Sequence, residues 1–271
     1  MITLYRPSGY DSPRASSFAG RSVDDKPLDV ENGSSFKEID TGRVFRYDKE
    51  NNLWIEQKST SGGTGATEPY IEETYDADGN LIGAKMYGYT KIRDNLFADC
   101  TNLAHVSLPE GLTSIGEGAF QNCTNLALTS LPEGLTSIGM NAFSGCTNLA
   151  LTSLSAGLTS ISSYAFYDCT NLALTSLPAG LTRIDDYAFY GCTNLALTSL
   201  PEGVTSIGVN AFQNCTSLTS ITFKGTPTRI YSIAFSGCTN LTDIKVPWAE
   251  GAVSGAPWGA KNATITYNYT E

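Results

Sequence analysis

Histidine is all but missing from this chain: His105 is the single one among 271 residues. A catalytic dyad or an imidazole-rich zinc site could be built only around it, so most histidine-dependent mechanisms have no residues to run on. Charge is also sparse, at 16% of residues, and it leans acidic, with 17 Lys and Arg against 27 Asp and Glu. A formal charge of −10 repels phosphate backbones and anionic lipid, which argues against nucleic-acid and membrane-surface partners. No run of about 18 apolar residues is present, so no membrane insertion is expected. The opening "MITLYRPSGYDSPRASS" has neither the basic start nor the apolar centre of a secretory leader. The expectation is a trimmed leader or a route that never used one.

What the sequence does have is a period. Seven cysteines, Cys100, Cys123, Cys146, Cys169, Cys192, Cys215 and Cys238, follow one another at a constant step of 23. A Phe stands three residues before each, an Ile five residues before that Phe, and a Leu three residues after each Cys. A fixed step of this size, held without insertion, is the signature of a stacked solenoid. One turn cannot bury its own Leu, Ile and Phe, whereas stacked turns align like with like into a continuous column.

Within a turn, "LAHVSLP" directs Leu103, Val106 and Leu108 one way and His105 and Ser107 the other, as a short strand does. Pro-x-Gly ends it, and "LTSIG" supplies a second short extended piece on the opposite wall. "EGAFQNC" is too short for a stable isolated helix and reads as a single helical or 3₁₀ turn.

The pattern "LTSIGEGAFQNCTNL…SLP" resembles the BspA-type (Treponema-type) leucine-rich repeat family over roughly residues 86–247, in six full repeats and a leading partial one. The resemblance implies a curved right-handed solenoid with parallel strands, of a kind found in surface-exposed bacterial and phage proteins that bind partners. The fold class expected is therefore a β-rich repeat solenoid of constant period, with short helical or 3₁₀ turns, a small N-terminal β module and a C-terminal cap. The Cys ladder reads as buried thiols that pack as small apolar residues, because parallel Cβ vectors disfavour bridging. The Asn residues two after most cysteines read as a structural ladder at a turn.

The domain reading follows. Residues 1–57 form an extended arm and a small meander, with three strands in "SSFKEIDTGRVFRYDKENNLWIEQ"; residues 58–69 form a Gly/Ser/Thr linker. Residues 70–247 hold the solenoid, led by a hairpin that turns at "YDADGN"; there the Gly comes too early for a calcium loop, and no distal Glu fits. Residues 248–271 cap the last turn with Trp248, Trp258 and a final strand. The "DTGRVFRYDKENNLWIEQ" module and the "VPWAEG…APWGA…ATITYNY" end resemble segments of virion and tail-associated proteins from phages and prophages of gut Firmicutes.

One irregularity points at a surface. The first, sixth and seventh turns keep an L-x-x-(V/I)-x-(L/F/V) strand, but the four middle turns read "LALTSL". Thr129, Thr152, Thr175 and Thr198 stand where the inward aliphatic belongs, and Leu128, Leu151, Leu174 and Leu197 come one residue earlier. If register holds, these leucines face outward as an apolar binding stripe, joined by His105 on the same sheet face. The alternative is a local bulge that turns Leu inward and Thr out, or recent duplication of one tolerated sequence. Tyr164, Tyr167, Tyr187 and Tyr190 pair across adjacent turns and read as wall packing in preference to a sugar platform.

The function expected is non-enzymatic, without cofactor or metal: recognition of a protein or host-surface component by the repeat, at a virion, extracellular or cell surface. The N-terminal module would attach to virion proteins, and a homo-oligomer is compatible with this. The alternative is a BspA-like surface adhesin of a bacterium.

Overall fold

The computed structural model describes residues 69–270, together with the backbone of the strands β1 (Thr3–Pro7), β2 (Ser17–Gly20), β3 (Ser35–Glu38), β4 (Val44–Asp48) and β5 (Leu53–Glu56). The expected linker, apart from Pro69, and most of the expected arm lie outside the described residues. The chain divides into two units: Met1–Tyr89 with Val106–Pro109, and Thr90–His105 with Glu110–Glu271.

The first unit is a sheet. Strands β6 (Tyr70–Tyr75) and β7 (Leu81–Tyr87) form an antiparallel hairpin, and β9 (His105–Ser107) ends the order β5-β4-β3-β2-β1-β6-β7-β9. The three strands expected over residues 34–57 are β3, β4 and β5, paired antiparallel. The hairpin loop is closed by Asp76, whose carboxylate accepts from the backbone of Asp78 and Asn80 and from the Asn80 side chain. Those bonds stabilise the ionised form and hold its pKa below the usual value.

The second unit is the solenoid. One wall carries two parallel ladders of two-residue strands that are not paired with each other: β8 (Lys91–Ile92), β10 (Ser114–Ile115) and β11 (Ser137–Ile138), then β12 (Ser160–Ile161), β13 (Arg183–Ile184), β15 (Ser206–Ile207) and β17 (Arg229–Ile230). Ile pairs with Ile of the adjacent repeat in every register, and each is buried. Period-2 alternation turns the residue just before each Ile outward, and Lys91, Ser114, Ser137, Ser160, Arg183, Ser206 and Arg229 are exposed or half-buried. The Thr before these is exposed where the strand begins. Thr113, Thr136, Thr182, Thr205 and Thr228 donate their hydroxyls to the carbonyl of the Thr one turn back.

The corner expected to be helical is a succession of turns, and among the described residues there is no helix. The reason lies in the backbone. Two positions in successive turns sit at positive φ: one holds Gly118, Asn141, Tyr164, Tyr187 and Asn210, the other Asn122, Gly145, Asp168, Gly191 and Asn214. A left-handed residue cannot continue a right-handed helix. The amides then bond to the neighbouring turn: Phe120 N–H donates to the Ala142 carbonyl at 2.8 Å, and Phe143 to Ala165 at 2.9 Å. Gly191, at φ +71°, leaves the space that the Asp168 carboxylate fills.

The core is built of columns. Phe97, Phe120, Phe143, Phe166, Phe189, Phe212 and Phe235 stack with ring centroids 5.1–5.6 Å apart. None of the seven cysteines forms a disulfide, and six are buried. Each buried Sγ–H donates to the carbonyl of the Phe of the preceding turn, at 2.9–3.1 Å. A thiol suits this place because it packs as a small apolar group and still satisfies a buried carbonyl.

The C-terminal segment closes the stack. Trp258 lies one repeat step after Phe235, Val253 one step after Ile230, and both are buried. The Trp258 carbonyl accepts from Phe235 N–H, and its indole Nε1–H donates to the Ser254 carbonyl. Phe223, Trp248 and Trp258 pack edge-on or tilted at 5.2–6.3 Å. Strand β19 (Thr264–Thr266) extends the second parallel ladder β14 (Ser199–Leu200), β16 (Ser220–Phe223), β18 (Asp243–Lys245).

Candidate functional site

The leucine stripe does not form. Leu151 and Leu174 are 0% exposed and Leu197 2%, Leu128 is half-buried, and Thr129, Thr152, Thr175 and Thr198 are exposed. The expectation that all four leucines face outward as a stripe is therefore corrected: three are inside and Leu128 is half-buried. The backbone has yielded instead of the side chains: no strand covers 128–131, 151–154 or 174–177, where other turns have one. Ala127 N–H donates to Ala104 O, a full period back, but Ala150 reaches Leu128 and Ala173 reaches Leu151, each one residue short of a period. That one-residue offset is the bulge. Burying a leucine contributes about 1.5–3 kcal/mol, against about 0.5–1.5 kcal/mol net for a ladder hydrogen bond, so burial wins. His105 is exposed on β9, whereas Leu151, Leu174 and Leu197 lie inside the core, so no stripe runs from His105 through them.

The wall of turns carries a different feature. Tyr164 stacks on Tyr187 and Tyr167 on Tyr190, each pair with centroids 4.7 Å apart and planes within 6°. The two stacks lean together, Tyr164 to Tyr167 at 5.7 Å and 42°, Tyr187 to Tyr190 at 5.9 Å and 44°. All four are half-buried, and none of their hydroxyls is hydrogen-bonded to the protein among the described residues. The Tyr167 hydroxyl has its pKa raised by burial first, then by Asp168 and the other three tyrosines.

Two of these tyrosines sit in strained backbone. Tyr164 and Tyr187 have φ of 58° and 57° at a position that is Asn141 one turn before and Asn210 one turn after. A left-handed conformation costs a side-chain-bearing residue about 1–2 kcal/mol, and Asn tolerates it best. The tyrosine pairs are visible in the sequence, whereas the strain exists only in the folded backbone.

The surrounding charge is acidic. From 151 to 200 the charged residues are Asp168, Arg183, Asp185 and Asp186. Asp185 holds Arg183 through both carboxylate oxygens at 2.8–3.2 Å. Asp186 accepts from Val209 N–H at 2.7 Å, and Asp168 enters none of the ion pairs among the described residues. Partial burial raises the pKa of Asp168. Among the described residues, Met140 and Ile233, 41% and 44% exposed, are the large apolar side chains most open to solvent.

A parallel stack of equal turns with a Leu-Ile-Phe core and a decorated outer wall defines a leucine-rich repeat scaffold. The BspA type leucine rich repeat region, in six copies, matches residues 90–196 and 159–250, more than half of the chain. The chain belongs to the BspA-type leucine-rich repeat family. No curated protein matches it. Among solved structures it is similar to a leucine-rich repeat protein from Bacteroides ovatus ATCC 8483, at 22% identity and a TM-score of 0.42. That match covers 69% of this chain and just under two thirds, 66%, of the other. It is also similar to a leucine rich cell surface protein from Faecalibacterium prausnitzii A2-165, at 22% identity, TM-score 0.43, covering 91% of this chain and 77% of that one. The T. pallidum leucine rich repeat protein is 25% identical, TM-score 0.38, over 65% of this chain and 81% of the other. Family membership rests on the repeat itself.

Proposed function

We propose that the chain is a non-enzymatic binding protein whose solenoid presents its outer wall to a protein or host-surface partner, at an exposed surface of a virion or a cell. The observation that carries this reading is the division of labour within each turn. The inward residues and the thiols are occupied by stacking, while the residues that vary between turns lie on the outer wall. The buried thiols are hydrogen-bonded to Phe carbonyls, and burial pushes their pKa up, to about 12 for Cys146 and Cys238, which suppresses the nucleophilic thiolate.

The family match covers the repeat and neither flank, so attachment to virion proteins through the N-terminal module belongs to this proposal as its finer part. Binding of the labelled chain to intact bacterial cells and to purified host glycoproteins tests the main reading. Saturable binding to at least one is expected, and none to any overturns it. Mass spectrometry of purified virions, against peptides shaved from the cell surface, decides between the two locations.

A further inference from the structure

We propose that Tyr164, Tyr167, Tyr187 and Tyr190, with Asp168 and Asp186, form a docking patch for a basic, Arg- or Lys-bearing segment of a partner protein. The proposal rests on the binding reading above and names the site and the partner chemistry.

Three observations carry it. First, this position is left-handed in every turn from Asn95 to Asn210, and the turns on either side fill it with Asn141 and Asn210, whereas Tyr164 and Tyr187 put a bulky aromatic there at a higher cost. A costly residue kept where neighbouring turns use a tolerant one is a mark of a functional constraint. Second, the four tyrosines are half-buried and their hydroxyls make no hydrogen bond to the protein among the described residues, so their oxygens are open to donors from outside. Third, the charge is complementary to a cation. Arg183 is held by Asp185, which leaves Asp168 and Asp186 as the uncompensated charges of these two turns.

The partner chemistry follows from the ring geometry. Sugar recognition uses open aromatic faces, but here the inner faces are covered by the 4.7 Å stacking, and ring edges and hydroxyls are what remain. Guanidinium and ammonium groups donate to phenolic oxygens and carboxylates alike. Tyrosine also provides broad amphipathic contact at low entropic cost, which suits a protein interface.

The test uses residues the protein already has at these positions. In the full chain, Tyr164→Asn and Tyr187→Asn copy Asn141 and Asn210, Tyr167→Ser copies Ser144, and Tyr190→Gln copies Gln213. These changes leave the −10 charge intact, so general attraction of a cation to an acidic protein survives them. Hexa-arginine and hexa-glutamate peptides are titrated against wild type and the quadruple variant, with thermal unfolding measured in parallel and a glycan array as the third arm. The expected result is that wild type binds hexa-arginine at least tenfold more tightly than the variant does, ignores hexa-glutamate, and unfolds no higher than the variant. Asp168→Asn with Asp186→Asn should weaken the same binding and flatten its salt dependence. Equal hexa-arginine affinity in wild type and variant overturns the proposal. So does a variant that melts well below wild type without loss of affinity, which makes the tyrosines wall packing, and so does capture of a glycan in place of the basic peptide. In the cell-binding assay, a quadruple variant that still binds like wild type removes this patch and leaves the general binding function standing. A wild type that binds no cell or glycoprotein removes the general function, and the peptide arms still decide the patch.

Discussion

At the scale of single residues, cysteine is the informative one. Each Phe carbonyl from Phe97 to Phe212 accepts the N–H of the Cys three residues on and, as a second donor, the buried thiol of the next turn, where a hydroxyl would bring a larger desolvation cost. Burial favours the neutral thiol, so the folded-state pKa lies above that of the unfolded chain. The sign of the linkage follows. Stability is fully present below the unfolded thiol pKa and falls as pH rises above it, by about 1.4 kcal/mol per thiol for each unit beyond about 8.5. Denaturant midpoints measured from pH 7 to 10 should fall steeply, and Cys169→Ala should make the fall shallower. Thiol titration of the native protein should find fast reaction only at half-buried Cys100, and all seven on unfolding.

At the scale of the element, the "LALTSL" segment is where two local preferences compete. Val or Ile at the inward place keeps a strand, as Val106 does in β9, Ile221 in β16 and Ile244 in β18. Thr at that place has less to gain from burial, so the preceding leucine is drawn in and the strand is given up. Leu151→Ala or Leu174→Ala should therefore destabilise the chain by about 2–5 kcal/mol in chemical denaturation. Thr152→Ala on the exposed side should move the midpoint by no more than about 0.5 kcal/mol. An outward leucine would give the reverse order.

At the scale of the whole solenoid, each turn touches chiefly its neighbours, so stability propagates along the stack and the ends decide fraying. Trp258 replaces the next Phe of the column and lends its carbonyl to Phe235 N–H, so the cap is a modified eighth turn. Trp258→Ala should cost about 3–5 kcal/mol locally. Hydrogen exchange is expected to speed up across 230–247 first, with the amides of 115–170 still protected. Uniform loss of protection along the chain would show a single cooperative unit instead.

The amino-acid sequence by itself determined the period, the columns of Ile, Phe, Cys and Leu, and the need for aromatic closure at the end. It could also have shown that Val253 and Trp258 keep the repeat step, a signal hidden by the changed residue types around them. Stacking makes this legible, because a residue repeated at a fixed interval must meet its own copies. Tertiary structure alone decided which way Leu151 and Leu174 face, that "EGAFQNC" segments are turns, and that Tyr164 and Tyr187 are held at positive φ. Those outcomes depend on hydrogen bonds to the neighbouring turn, where leucine burial is weighed against ladder bonding and left-handed residues pass their amides across. A pattern read along one turn cannot supply that balance.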